Sequence, residues 1–297
     1  MAILKSGLGI FSGKIGGIRA WESNGRTIVA SYDVKCKNPK TEAQMKQRLK
    51  LINILNNYRV LKPALLENFE GIAGNRNAAT FFRKYNLRQK PVWLTKTDAS
   101  LYHKVVLAPY CVSQGIIKPI EYSLSSAGLT SNIELGTTDK EVTTDVTNLA
   151  YAILQNHEDW SNGDTLQIVA MRQSLKDNLK SDSSRAEMEA VTLIMTTGKN
   201  QPLDSVVGVN HLKSMGITIA NHDGRLGIDI SNRSDYVYAL ALVHGRGTGI
   251  KRLLSTQNLV LSDTSIYDHY ISSEQMIEAL KSYKTNMEPD AYLSPSK

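Results

Sequence analysis

Apolar and polar positions follow two different periods along this chain of 297 residues. From residue 41 to about residue 85 the apolar residues recur at helical spacing. Met45, Leu49, Leu51, Ile52, Ile54, Leu55 and Tyr58 cover one broad arc, with Lys46, Lys50, Asn53 and Asn57 on the opposite face. Thr41 and Gln44 have the spacing of a capping box, so the first helix starts there. Pro63 predicts the opening of a second, short helix through about Gly71. Asn75 caps a third through Tyr85, with Phe81, Phe82 and Tyr85 as its apolar side and Arg76, Thr80, Arg83 and Lys84 on the other. Arg48 and Arg59 fall inside the apolar arc of the first helix, where they either snorkel along a core edge or line a subunit interface.

From Pro91 onward the period shortens to that of strands. The pattern predicts strands at Val92–Thr95, Lys104–Val112, Ile116–Leu124, Ala150–Gln155, Thr165–Met171, Met188–Thr196, Gly216–Ala220, Leu226–Ile230, Tyr236–His244 and Arg252–Leu261. Asn162-Gly163-Asp164, His222-Asp223-Gly224 and the run Gly245 to Gly249 separate them as turns. Tyr236–Val243 is apolar on both alternating sets, which predicts a central strand covered on both faces. Gln173–Glu189 has a helical look and reads as an insertion. A last helix is expected at Ser273–Lys284, with Glu288–Lys297 as a loose tail.

Before residue 38 neither period is sustained. Gly7, Gly9, Gly13, Gly16 and Gly17 crowd the start, and each costs a helix about 1 kcal/mol relative to alanine. Arg26–Tyr32 reads as a strand with Asn24-Gly25 as a hairpin turn before it. The expected fold class is therefore α+β, in four parts. Residues 1–37 form an extended glycine-rich arm, 38–90 a small basic helical hairpin, 91–270 a β-sandwich-like (immunoglobulin-like) module, and 271–297 a C-terminal helix and tail.

Composition narrows this picture. A 41% hydrophobic and 21% charged chain can fold, so wholesale disorder is excluded. No apolar run approaches the roughly 18–20 residues of a membrane span, and the glycine-rich start is too short to be a signal peptide's apolar core. Cys36 and Cys111 stand far apart in no metal spacing, which reads as free thiols in a reducing cytoplasm. Charge is asymmetric: residues 1–90 hold 17 Lys/Arg against 5 Asp/Glu, a net of +12, while the other 207 hold 18 against 23, a net of −5. A basic end on an acidic body predicts a polyanion or an acidic protein as partner of the N-terminal part. Lys14, Arg19, Lys46, Arg48, Lys50, Arg59, Arg76, Arg83 and Lys84 are the candidate partner-binding residues.

Chemistry is harder to find. Gly13-Lys14 resembles the end of a phosphate loop, but Leu8 stands where that motif needs glycine and Ile15 where it needs a hydroxyl. His103, His157, His211, His222, His244 and His269 are scattered, and His157-Glu158-Asp159 reads as a solvated turn. The run from Gly245 to Gly249 reads as a hairpin connection in preference to a phosphate cradle. Phe81, Phe82 and Tyr85 read as one packed helix side in preference to a base-stacking platform. No catalytic residue, cofactor or metal is expected, and the chain reads as a non-enzyme.

Two segments carry a resemblance: Gly7–Gly16, and Lys37–Gln44 continuing to Gln47-Arg48. They resemble the opening of an uncharacterised family of Bacteroidota and their phages. Its members start with a Leu-Gly-x-Phe-Ser-Gly-Lys-x-Gly stretch, followed by Asn-Pro-basic-Thr-x-x-Gln. The likeness covers about the first fifty residues, and the arm keeps only Trp21 of the family's aromatic-rich middle. It implies a virion component, a ring, tail or portal-proximal protein of crAss-like phages, made in the host cytoplasm. Its expected partners are other copies of itself in a ring, neighbouring virion proteins and packaged DNA, with no membrane. A nucleic-acid-binding accessory protein working through the basic helices is the alternative.

Overall fold

The computed structural model describes residues 2–4, 13–15, 18–23, 26–31, 41–71, 75–100, 103–125, 128–175, 186–198 and 200–284. The chain divides into two compact units, the second spanning Glu42–Met287. Its architecture is α+β, with helices packed on antiparallel sheets.

The glycine-rich start was expected as an extended arm; its described residues form a sheet. Strands β1 (Ala2–Leu4), β2 (Gly13–Ile15), β3 (Ile18–Ser23) and β4 (Arg26–Ser31) pair in the order β1-β4-β3-β2. Glycines disfavour helix without preventing strand pairing, and the β-branched Ile18, Thr27, Ile28 and Val29 favour strand. Ser23 lies opposite Arg26; the Asn24-Gly25 turn lies outside the described residues.

In the second unit, α1 (Glu42–Leu65) is one continuous helix of 24 residues, so Pro63 sits in its last turn and opens no new helix. A proline there forfeits a single hydrogen bond, close to where the helix ends anyway. Helix α2 (Asn75–Asn86) follows, then the short α3 (Lys96–Ser100). Next come β5 (Cys111–Ser113), β6 (Tyr122–Leu124), β7 (Gly128–Glu134), α4 (Val146–Asn156), β8 (Thr165–Ser174) and β9 (Glu187–Ile194). After them stand α5 (Val209–Ser214), β10 (Ile217–His222), β11 (Arg225–Ile230) and β12 (Tyr236–Arg246). Three two-residue strands, β13 (Leu253–Leu254), β14 (Gln257–Asn258) and β15 (Val260–Leu261), precede α6 (Ser265–Tyr270) and α7 (Ser273–Lys284).

The expected central strand is central. β12 pairs with β8 from Tyr236 opposite Ser174 to Gly245 opposite Thr165, and β13 and β15 pair with its other side. Side-chain alternation divides it between two cores. Tyr238, Leu240 and Leu242, with Leu166, Ile168 and Ala170 of β8, face the sheet β10-β11-β7-β6 and helices α4 and α5. Val237, Ala239 and Ala241, with Val169 and Met171 of β8, face Ile54, Leu61 and Leu65 of α1 and Phe82 of α2. The helices at 42–86 thus share a core with the central sheet. At about 1.5–3 kcal/mol per fully buried large apolar side chain, these two layers supply most of the driving force for folding.

Several strand expectations fail for identifiable reasons. Ala150–Gln155 lies inside helix α4: Val146, Leu149, Ala150 and Ile153 recur at helical spacing, and the Asp145 carboxylate caps the helix by accepting from Thr147 N at 2.7 Å. Val92–Thr95 is not a strand, and the Trp93 N–H bonds to the Tyr270 carbonyl. Within Ile116–Leu124 only Tyr122–Leu124 is strand, and Arg252–Leu261 breaks into three pieces, two pairing with β12 and one with β5. Gln173–Glu189 is no helical insertion where described: β8 runs to Ser174, and Arg172 lies opposite Glu187 at the start of β9; residues 176–185 lie outside the described residues. Strand β7 was not foreseen.

Lys104–Val112 is the most informative departure, since only its end joins a strand. The run is buried, and side-chain amides replace strand partners. Asn53 accepts from Val106 N at 3.0 Å and donates to Val106 O at 2.9 Å. Gln173 accepts from Leu107 N at 3.2 Å and donates to Val105 O at 2.6 Å. Asn86 accepts from Cys111 N at 2.7 Å and donates to Cys111 O at 3.0 Å. Asn56 and Asn57 donate to the Lys104 and Val106 carbonyls. The Asn53/Asn57 side of α1, expected to face away from the core, is therefore buried against this segment. A buried peptide group must be bonded, and a primary amide offers the same donor and acceptor pair as a neighbouring strand.

Candidate functional site

The alternation that sends Tyr238, Leu240 and Leu242 into one core continues along β12 to His244 and Arg246, at the edge of that core. Asp164 meets them there, because it directly precedes β8, whose Thr165 lies opposite Gly245. A tight turn aims it: Asp164 N donates to Ser161 O, Ser161 N donates back to Oδ2, and Gly163 takes φ +92°, which suits glycine.

His244 and Asp164 are each only 2% exposed. His244 Nε2 lies 2.8 Å from Asp164 Oδ2, and Arg246 clasps the same carboxylate through Nε at 2.9 Å and Nη2 at 2.8 Å. Burial alone would raise the Asp164 pKa, but the bonds from Arg246, His244 and Ser161 outweigh it and hold the group below the usual carboxylate range. Burial lowers the His244 pKa, with Asp164 opposing in part. An ionised carboxylate can only accept, so neutral His244 carries its proton on Nε2 and leaves Nδ1 as a lone pair. Trp160 stacks on the imidazole, ring centroids 3.7 Å apart and planes within 4°.

His244 and Trp160 line a cleft of about 280 Å³ whose wall also includes Lys118, Asn132, Glu134 and Asp159. His157, the C-terminal cap of α4, lines it too, and its Nε2 accepts from Glu134 N at 2.7 Å, which puts the proton of neutral His157 on Nδ1. The His157-Glu158-Asp159 turn is thus partly built into the cleft, and the Asp159 carbonyl accepts from Arg246 Nη2. Among the described residues no group of three or more His, Cys, Asp or Glu is placed to hold a metal.

A second polar chain lies on the face of the β10-β11-β7-β6 sheet opposite its core. His222 Nδ1 lies 2.7 Å from Thr130 Oγ1, and Nε2 lies 2.7 Å from Asp229 Oδ1. The ring passes over Gly227, where any Cβ would strike it. Hydroxyl, imidazole and carboxylate come from three neighbouring strands, so the chain ties β7, β10 and β11 together side by side.

None of the basic candidates on α1 and α2 whose side chains are described lines this cleft. Lys14 and Arg19 lie opposite one another on β2 and β3, and the Arg19 guanidinium sits 5.9 Å from the Trp21 ring. On α1, Lys46 pairs with Glu42 at 3.0 Å, Lys50 is half-buried, Arg48 and Arg59 are exposed, and Arg48 approaches the Met45 sulfur. On α2, Arg83 bonds back to the Ala79 carbonyl and the Thr80 hydroxyl. Lys84 Nζ lies over Phe81 and Tyr85 at 5.8 and 5.5 Å. Phe81 and Tyr85 also pack on Phe69, as the packed-side reading expected. The side chains of Lys14 and Arg76 lie outside the described residues. Gly13–Ile15 is strand β2, and the rest of the phosphate-loop lookalike lies outside the described residues, as does Cys36. Cys111 is buried and free, its thiol pushed up to about 11 by burial. Among the described residues no helix is long and apolar enough to cross a membrane.

No protein-family model, no curated protein and no solved structure matches this chain.

Sequence reasoning missed Asp164, Trp160, His244 and Arg246 as a group. The Asn162–Asp164 turn and the alternation along β12 were legible, but only the β8–β12 register joins residues 80 positions apart.

Proposed function

We propose that this chain is a non-enzymatic structural subunit of a phage virion, a ring, tail or portal-proximal connector protein that assembles as a homo-oligomer. The N-terminal sheet carries the reading. Its strands bear Trp21, Ile28 and Val29, yet among the residues whose burial is described none is buried, and Trp21 is 37% exposed. A small sheet needs one apolar face covered to be stable in water, and a neighbouring subunit supplies that cover. The likeness of Gly7–Gly16 and Lys37–Arg48 to the phage-associated family supports the same conclusion.

In this reading Arg19, Arg59 and Lys84 meet acidic surfaces on neighbouring virion proteins. The two sheets that share the Leu166/Leu240 core support an immunoglobulin-like sandwich within residues 91–270, with α1 and α2 laid over one of them. Negative-stain imaging and sedimentation of the purified protein test the proposal. Closed rings of uniform subunit number are expected, and a protein that stays monomeric at its highest soluble concentration, alone and with its virion neighbours, would overturn it.

A further inference from the structure

The geometry points to the cleft beside Trp160 and His244 as a binding site for one neutral sugar residue, a role independent of the assembly proposed above. Among the described residues, three polar atoms of its lining residues have no hydrogen-bond partner: His244 Nδ1, His157 Nδ1 and the Trp160 indole N–H. Two of them belong to residues at most 9% exposed. Trp160 covers a face of the His244 ring and leaves the in-plane Nδ1 lone pair free.

The three atoms include one acceptor and two donors, and the rim adds more of each. Asn132 keeps its amide N–H₂ free while its oxygen accepts from Glu121 N, and the Glu134 and Asp159 carboxylates only accept. A hydroxyl both donates and accepts, so vicinal hydroxyls match such a mixed wall better than any ligand of one polarity. The charge balance excludes the competitors. Lys118 alone faces two carboxylates, since Arg246 is committed to Asp164, so a phosphate or a uronic acid would meet net repulsion. Two carboxylates without a third ligating group are too few for a divalent cation. The polar wall disfavours an apolar ligand. At about 280 Å³ the cleft lies at the lower end of the roughly 300–1,000 Å³ range of small-molecule pockets, room for a single ring.

The test uses the full chain and follows the indole N–H signals of its three tryptophans by heteronuclear NMR, with Trp160→Phe to assign the one in the cleft. Methyl glycosides of glucose, mannose, galactose and N-acetylglucosamine represent a chain-linked residue, and the corresponding free sugars represent a monosaccharide. Inorganic phosphate and calcium are the counter-probes. At least one sugar should shift the Trp160 signal saturably with a Kd of about 1 mM, and Asn132→Ala with Glu134→Gln should weaken it about tenfold or more while circular dichroism is unchanged. Stronger response to the methyl glycosides assigns the site to a glycan chain; stronger response to the free sugars assigns it to a monosaccharide. Both substitutions are at the rim, so the test does not hinge on the buried His244 cluster. No saturable shift with any sugar, equal affinity in the rim variants, or preferential binding of phosphate or calcium overturns the assignment.

Discussion

Asn53 holds both backbone groups of Val106, accepting its N–H at 3.0 Å and donating to its carbonyl at 2.9 Å. The pair is 53 residues apart in sequence, and Asn53 is fully buried. Replacing it with leucine leaves the buried Val106 N–H without a partner, at about 1–3 kcal/mol, while the Val106 carbonyl keeps the bond from Asn57. Asn53→Leu should therefore lower unfolding free energy in urea by about 1–3 kcal/mol, although leucine suits a helix better. The exposed Asn148→Ala on α4 should stay within about 0.5 kcal/mol of wild type. Equal effects of the two would refute the clamp.

The two faces of β12 make a second pair of tests. Val237 belongs to the core under α1 and α2, and Leu240 to the core between the sheets. Aspartate at either position buries an unpaired charge, a cost of several kcal/mol. Both Val237→Asp and Leu240→Asp should give insoluble or unfolded protein, measured by circular dichroism and expression in the soluble fraction. A well-folded variant at either site would contradict two-sided burial.

Acid should act on the Asp164–His244 pair in two stages of the same sign. The His244 pKa is lowered in the fold, so protonation favours the unfolded chain and stability falls as pH drops below about 6.5, the ordinary histidine value. The Asp164 pKa is lowered as well, so its contribution is present above about pH 3.9 and is lost as pH falls through its lower folded value. Thermal unfolding from pH 7.5 to 3 should show a falling melting temperature. Asp164→Asn should flatten the lower part of the curve, and an unchanged slope there would rule Asp164 out as its source.

Removing Met1–Gly17 takes away edge strands β1 and β2 and leaves β3 and β4. Unit Glu42–Met287 keeps the two cores on either side of β12, so its unfolding midpoint in a denaturant titration should barely move. Higher-order assembly should be lost. Truncated protein that unfolds early, or that still forms particles, would remove the assembly role from this segment.

The alternating pattern by itself determined much of the β-rich part. Thr165–Met171, Met188–Thr196, Leu226–Ile230 and Tyr236–His244 are strands within a few residues of their expected bounds, and Ser273–Lys284 is helix α7 as expected. These elements were legible because each carries its own period and stops at its own turn residues, which are local properties. Burial of both faces of Tyr236–Val243 was legible too, since only a strand covered twice is apolar on both sets. Only the tertiary structure decided what polar residues do. Asn53, Asn57 and Asn86 look like solvated helix positions, and they are buried because Lys104–Val112 passes beside them, and up to Tyr110 it has no strand to pair with. His244 and Asp164 look like scattered residues, and they meet because the antiparallel register of β8 and β12 joins the start of one strand to the end of the other. A polar side chain costs free energy in a core unless a partner is present, and that partner lies far away in sequence, where no local period records it.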